Sequence, residues 1–287
     1  MRYSKRILMA LAAALALQLF SGSAYAQVPG DAKVHLILTG YTKQDNVGIA
    51  CQKDIDAMKN VFQQAFSRSE LVVHELHGDA WSGTQVMNYL STMVVGRNDV
   101  VVFYHSGHGG GMIHGKEKDS HMLSLNLGDV NRGQVRNLLQ AKQPRGLIIL
   151  TDCCSAYSDQ SFGRALTWKT PNAKTVRNLF LNAPVLIDIT AAEDGKLASS
   201  QHNASMAGTG AQSALTVALL WTMADEREYA TWQDFFPKLV QNTEVASQHQ
   251  HKPKAFFLQE AGASVPSFTQ PVLPPVDSPR EQLRPAA

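Results

Sequence analysis

The chain has 287 residues with 44% hydrophobic content, enough for one substantial buried core. Its 26 Lys and Arg nearly balance 24 Asp and Glu, so nothing in the charge points to a nucleic-acid surface. Three cysteines are too few for a disulfide scaffold.

The chain opens on Arg2, Lys5 and Arg6, followed by an apolar stretch from Ile7 to Phe20 and the small-x-small pattern Ala24-Tyr25-Ala26. This order predicts a secretory signal peptide over residues 1–26. A membrane anchor is the alternative, but the apolar core is short for a span. Removing 26 residues, three of them basic, leaves 261 residues with 23 Lys and Arg against 24 Asp and Glu, a net charge near −1. The expectation is an exported protein, periplasmic or secreted, with no stable membrane span in the mature chain. Exported chains pair their cysteines or have a reason not to. Cys51, Cys153 and Cys154 are odd in number, and a bridge between the last two strains the peptide joining them, so at least one unpaired thiol is expected.

Apolar runs and breakers then set the order of elements. Val34 to Leu38 predicts a first buried strand. Asp54 to Phe66 carries Ile55, Met58, Val61, Phe62 and Phe66 at helical spacing and predicts an amphipathic helix. Leu71 to Leu76 is a second strand, and Ser82 or Thr84 caps a helix running to Val94. Asp99 to Tyr104 is a third strand, Asn131 to Ala141 a helix burying Val135, Leu138 and Leu139, and Leu147 to Leu150 a fourth strand. Pro184 to Ile189 is a fifth strand, Ala211 to Met223 and Trp232 to Val245 are helices, and Lys254 to Leu258 is a last strand. Prolines at 266, 271, 274, 275, 279 and 285 mark residues 263–287 as a disordered tail. Strands that alternate with helices and are apolar on both faces imply an α/β fold. It has one mostly parallel sheet, covered on both sides, in a single domain over residues 27–262.

Ligands of such sheets bind beyond the carboxyl ends of the strands. Two stretches end strands there: Tyr104-His105-Ser106-Gly107-His108-Gly109-Gly110, and Leu150-Thr151-Asp152-Cys153-Cys154-Ser155. The first offers a histidine in a glycine-rich loop, the second a cysteine, and a thiolate activated by a histidine is the equipment of a thiol hydrolase. Strand alternation puts Asp152 and Cys154 on one side and Cys153 on the other. One cysteine can therefore face a cleft while Cys153 packs inward as a small apolar residue. His108, between two glycines, is the expected catalytic imidazole; His105, at the strand end, is expected to be packed or hydrogen-bonded.

His-Ser-Gly-His-Gly after one strand and Asp-Cys-Cys-Ser after the next resemble the caspase-like cysteine peptidases, the metacaspase branch most closely. The resemblance runs over about Lys33 to Leu258. It implies a six-stranded caspase-like sheet and an endopeptidase acting on proteins or peptides through a dyad of His108 and Cys154. The backbone N–H groups of Gly109 and Cys154 would hold the oxyanion. It also implies a primary pocket lined by Asp152 and by Asp54 at the start of the first helix, hence cleavage after Arg or Lys. For Asp54 the competing reading is a helix cap or first-turn acid.

The chain departs from the metacaspase pattern after the cysteine, where Ser155-Ala156-Tyr157 stands in place of His-Ser-Gly. No cofactor is required. Calcium, which some relatives need, would have only the scattered Asp119, Asp129 and Asp159. The basic stretch Gly163 to Arg177 reads either as a solvated loop or as a self-cleavage linker. His105, His108, His114 and His121 match no common zinc spacing. Nothing in the sequence bears on oligomeric state. Two further functions fit the same sheet: a silent binding or regulatory module, and a thiol hydrolase of another amide or ester.

Overall fold

A computed structural model describes residues 30–43, 45–111, 121–153, 170–183, 186–191, 212–247 and 253–258. The expected signal peptide, the Pro-rich tail, Cys154, His114, Asp119 and Asp159 lie outside them. Six strands form the main sheet: β1 (Val34–Gly40), β2 (Leu71–His77), β3 (Val100–Ser106), β7 (Gly146–Asp152), β8 (Leu186–Thr190) and β9 (Lys254–Leu258). Their order is β2-β1-β3-β7-β8-β9. The first five are parallel, and β9 closes the edge antiparallel to β8. A second sheet of three short strands, β4 (Gly109–Gly111), β5 (His121–Ser124) and β6 (Asp129–Asn131), follows the histidine loop.

Alternation decides what covers each face. Leu36, Leu38, Val102, Tyr104, Ile148, Leu150 and Ile187 point to one side. There they meet Ile55, Met58 and Phe62 of α1 (Asn46–Ala65), Val176 and Phe180 of α4 (Ala173–Leu181), and Leu215 and Leu219 of α5 (Ala214–Met223). Trp232 and Phe235 of α6 (Trp232–Ala246) complete that layer. Ile37, Val101, Phe103, Leu147 and Ile149 point to the other side, against Val86 and Leu90 of α2 (Gly83–Thr92) and Val135 and Leu139 of α3 (Arg132–Ala141). Ser82 is the cap of α2, in a reciprocal box with Gln85. Helix α5 is apolar all round and almost wholly buried, as such a helix must be.

Two expectations are corrected. Helix α1 begins at Asn46, capped by Asp45, so Asp54 stands in its interior and caps nothing of its own helix. The basic stretch does not run as a loop to Arg177: Ala173–Leu181 is helical, and Arg177 pairs with Glu70 at 2.6 Å. Residues 163–169 of that stretch lie outside the described residues. Among the described residues no helix is long and apolar enough to cross a membrane.

One buried charge cluster locks α3 onto the sheet. Arg132 pairs with Asp188 of β8, its Nε donates to Thr151 Oγ1 at 3.0 Å, and Arg136 reaches Asp188 at 3.4 Å. Removing one partner of a buried pair strands the other, at about 3–5 kcal/mol. Asp188→Ala should therefore lower the melting temperature by roughly 10 °C; a calorimetric shift under about 2 °C would assign the cluster no net role.

Candidate active site

The strand order reverses between β1 and β3, because β2 lies on one side of β1 and β3, β7, β8 and β9 on the other, while the strands stay parallel. That switch point is where an open α/β sheet has a crevice at its carboxyl edge. The tips of β1, β3 and β7 meet there. Ser106 stands opposite Asp152 in register, and the Gly107 N–H donates to the Asp152 carbonyl at 3.2 Å. The loop bearing His108 thus leaves from beside the strand tip that carries Asp152 and Cys153, one residue short of Cys154.

His108 is half-buried, and its carbonyl accepts the Ser124 N–H at 2.9 Å, which ties the loop to β5. His105 is fully buried, as expected of a packed histidine, with Nδ1 3.1 Å from Thr39 Oγ1. Burial pushes it down to about 3, so it is neutral at any ordinary pH. Gly107 lies between them where a Cβ would come 3.0 Å from His105 Nε2 and 3.1 Å from Tyr41 Cβ, so only glycine fits without displacing a neighbour. Gly109, the expected oxyanion donor, opens β4 and is buried. Cys153 packs among Ile149 and the α2/α3 face, with Sγ 3.4 Å from His121 Nε2. It sits on the side opposite Asp152, as alternation requires.

Asp152 and Asp54 come together on the α5 side of the rim, both buried. Asp152 Oδ2 accepts the Thr216 N–H at 2.7 Å and the Thr216 hydroxyl at 2.6 Å. Asp54 accepts the Ser106 hydroxyl at 2.7 Å, the Ser213 N–H at 3.2 Å and the Ser213 hydroxyl. Both carboxylates therefore face the N-terminus of α5, where unpaired N–H groups and the helix dipole favour negative charge. Burial pushes both up nonetheless, and the charge of Asp54 adds to the rise at Asp152. Asp152 Oδ1 is buried with no hydrogen-bond partner among the described residues. A buried carboxylate oxygen left so is costly, and a cationic group inserted beside it would relieve both the missing bond and the repulsion. Cys51 also lies at this end of α1, a buried thiol pushed up by burial and by the charge of Asp54.

The family model for the caspase domain matches residues 36–273. The chain belongs to the caspase domain family. Among solved structures it is similar to a Geobacter sulfurreducens protein, 17% identical, with a TM-score of 0.52 over 78% of this chain and 92% of that one. It is also similar to caspase-1 from Spodoptera frugiperda, 10% identical, with a TM-score of 0.49 over 80% of this chain and 88% of that one. The first of these likenesses is one of fold alone. No curated protein sequence matches the chain. Membership makes this a caspase-like cysteine peptidase domain, and the six-stranded sheet is that of the family.

Sequence reasoning passed over four residues of this caspase domain site. Ser213 and Thr216 hold the two carboxylates. Their signal was a serine opening an apolar run, Ser213-Ala-Leu-Thr216, although the helix was expected from Ala211. Tyr41 and Asp45 flank His108 from the segment between β1 and α1, and no motif marks them. Among the described residues there is no group of three His, Cys, Asp or Glu able to hold a metal ion; Asp129 is an exposed residue of β6.

Proposed function

We propose that the chain is an exported endopeptidase of metacaspase type that cleaves proteins or peptides after Arg or Lys. The observation that carries this reading is the meeting of the β3 and β7 tips, which brings the His108 loop beside the strand end leading to Cys154. The Cys154 thiolate attacks the scissile carbonyl carbon, and the resulting oxyanion is held by the N–H groups of Gly109 and Cys154. His108 then protonates the leaving amine, and the acyl-enzyme forms. Water, deprotonated by His108, attacks the thioester, and the thiolate is restored.

The pocket at the α5 end sets specificity in this reading. A guanidinium or ammonium reaching Asp152 Oδ1 finds a buried acceptor with a second carboxylate beside it, and Arg can use both through its forked donors. Export follows from the basic start, apolar core and Ala24-Tyr25-Ala26 of residues 1–26.

The test is a peptidyl arginyl chloromethylketone incubated with the purified chain, with and without calcium, and mapped by mass spectrometry. The expected product is one adduct, on Cys154, that blocks turnover of a fluorogenic arginyl peptide. An adduct on Cys51 or Cys153 would overturn the nucleophile. No adduct and no turnover, even after limited proteolysis between residues 163 and 172, would favour the binding module.

A further inference from the structure

His108 has a neighbour that neither motif contains. The segment after β1 passes in front of it, and Tyr41 packs edge to face against the imidazole with ring centroids 5.0 Å apart. The support for that contact is stiff. The Tyr41 N–H donates to the Ser106 carbonyl at 3.1 Å, and the Thr42 N–H donates to Asn126 Oδ1 at 2.7 Å. The Tyr41 hydroxyl donates to Asp45 Oδ2 at 2.7 Å, while Asp45 Oδ1 accepts the Gly48 N–H at 2.7 Å and caps α1. One carboxylate is thereby fixed through both oxygens beside the histidine.

We infer that Tyr41 and Asp45 are a positioning pair for His108. The Tyr41 ring sets the plane of the imidazole, and the Asp45 carboxylate, oriented by the Tyr41 hydroxyl, favours the imidazolium that accompanies the Cys154 thiolate. The inference rests on the reading of His108 and Cys154 as the dyad. Burial, which would raise Asp45, is outweighed by its hydrogen bonds to Gly48 and Tyr41 and by the charge of His108, so Asp45 lies below its ordinary value. Tyr41 is pushed up to about 12, first by its bond to Asp45. The other titratable groups at this rim cannot take the role of Asp45. Lys43 lies over the Tyr41 ring at 5.6 Å and is cationic, and His105 of β3 is neutral at any ordinary pH and offers no negative charge. His121 of β5 reaches toward Cys153. Asp152 of β7 is engaged by Thr216, and Asp54 of α1 by Ser106 and Ser213.

The decisive substitution is Asp45→Asn. Asparagine caps a helix as well as aspartate does and can still accept the Tyr41 hydroxyl, so only the charge is removed. The rate of Cys154 alkylation by iodoacetamide, followed by peptide mapping across pH on the full chain, is the first readout. It should fall up to about fivefold at neutral pH, the range of a partly exposed charge pair. The pH profile of peptide turnover should narrow on its alkaline side, and the melting temperature should stay the same. Tyr41→Phe, which keeps the ring and loses the tie, should fall between. In a His108→Ala background, Asp45→Asn should have no further effect on alkylation. A profile that superimposes on the wild type overturns the inference, and so does equal slowing with His108 absent. Alkylation needs no turnover. A chain with this His108-dependent alkylation that cleaves no peptide would sink the peptidase reading alone. Alkylation untouched by His108→Ala would sink the dyad and this inference with it.

Discussion

Cys154→Ala should abolish cleavage of an arginyl peptide, a loss on the order of 10⁴-fold or more in kcat/KM, and His108→Ala should come close to it. The two losses should not add. Attack by sulfur without a proton acceptor, and a proton acceptor without a sulfur to activate, both return the site to whatever binding and the oxyanion donors still supply. The double substitution should therefore match the worse single one within a few-fold. His108→Ala should not shift the melting temperature much, since half-buried His108 lies outside the hydrophobic clusters. A Cys154→Ala chain retaining a tenth of wild-type turnover would remove the proposed nucleophile, whatever His108 does.

How far the sequence reached can be seen strand by strand. Every run of the main sheet was legible: a strand buried on both faces must be apolar at every position, as Val34–Gly40 and Val100–Ser106 largely are, and the half-buried edge strand Leu71–His77 still opens on Leu71-Val72-Val73. Helix α1 was read eight residues short. Its large apolar residues begin at Ile55, while the earlier turns bury Ala50 and Cys51 and press Gly48 against the Lys43 backbone, where a Cβ would lie 2.0 Å from the carbonyl oxygen. Contacts made by small residues leave no hydrophobic period. Helix α4 was hidden by Lys174 and Arg177, whose charges looked solvated. Yet Arg177 is tied to Glu70, and Val176, Leu179 and Phe180 fill the core at helical spacing. The β4–β6 sheet was missed because strands of three or four residues carry too little alternation to read.

The candidate site divides the same way. His108, Asp152 and the inward turn of Cys153 followed from strand ends and parity, which are local. The partners that give the carboxylates their environment did not, because Ser213 lies 159 residues from Asp54 and Thr216 lies 64 from Asp152. Tyr41 reaches His108 only because β1 and β3 are neighbours, with Gly40 opposite Ser106.

Asp152→Asn should separate function from stability by moving them in opposite directions. Cleavage after arginine should fall by about 10²-fold or more, since a buried amide offers the guanidinium no charge and aims an N–H₂ where an acceptor is required. Stability should rise at the same time. Asp152 is raised above its ordinary 3.8 by burial and by the charge of Asp54, so the folded chain holds a proton that the unfolded chain has lost. In that situation stability is greatest below the unfolded value and is lost as pH rises through the folded one. His105, lowered by burial, works on the acid side: its contribution is lost as pH falls from its ordinary 6.5 toward about 3. The wild type should therefore be most stable at mildly acidic pH and weaken toward alkali. In Asp152→Asn the alkaline weakening should shrink, because the asparagine carbonyl can still accept from the Thr216 N–H and hydroxyl while the charge is gone. Melting curves of both chains at pH 5 and pH 8 decide it. The variant should gain more at pH 8 than at pH 5. An equal loss at both would mean that Asp152 is chiefly a cap for α5, and its free oxygen would no longer argue for a basic side chain in the pocket.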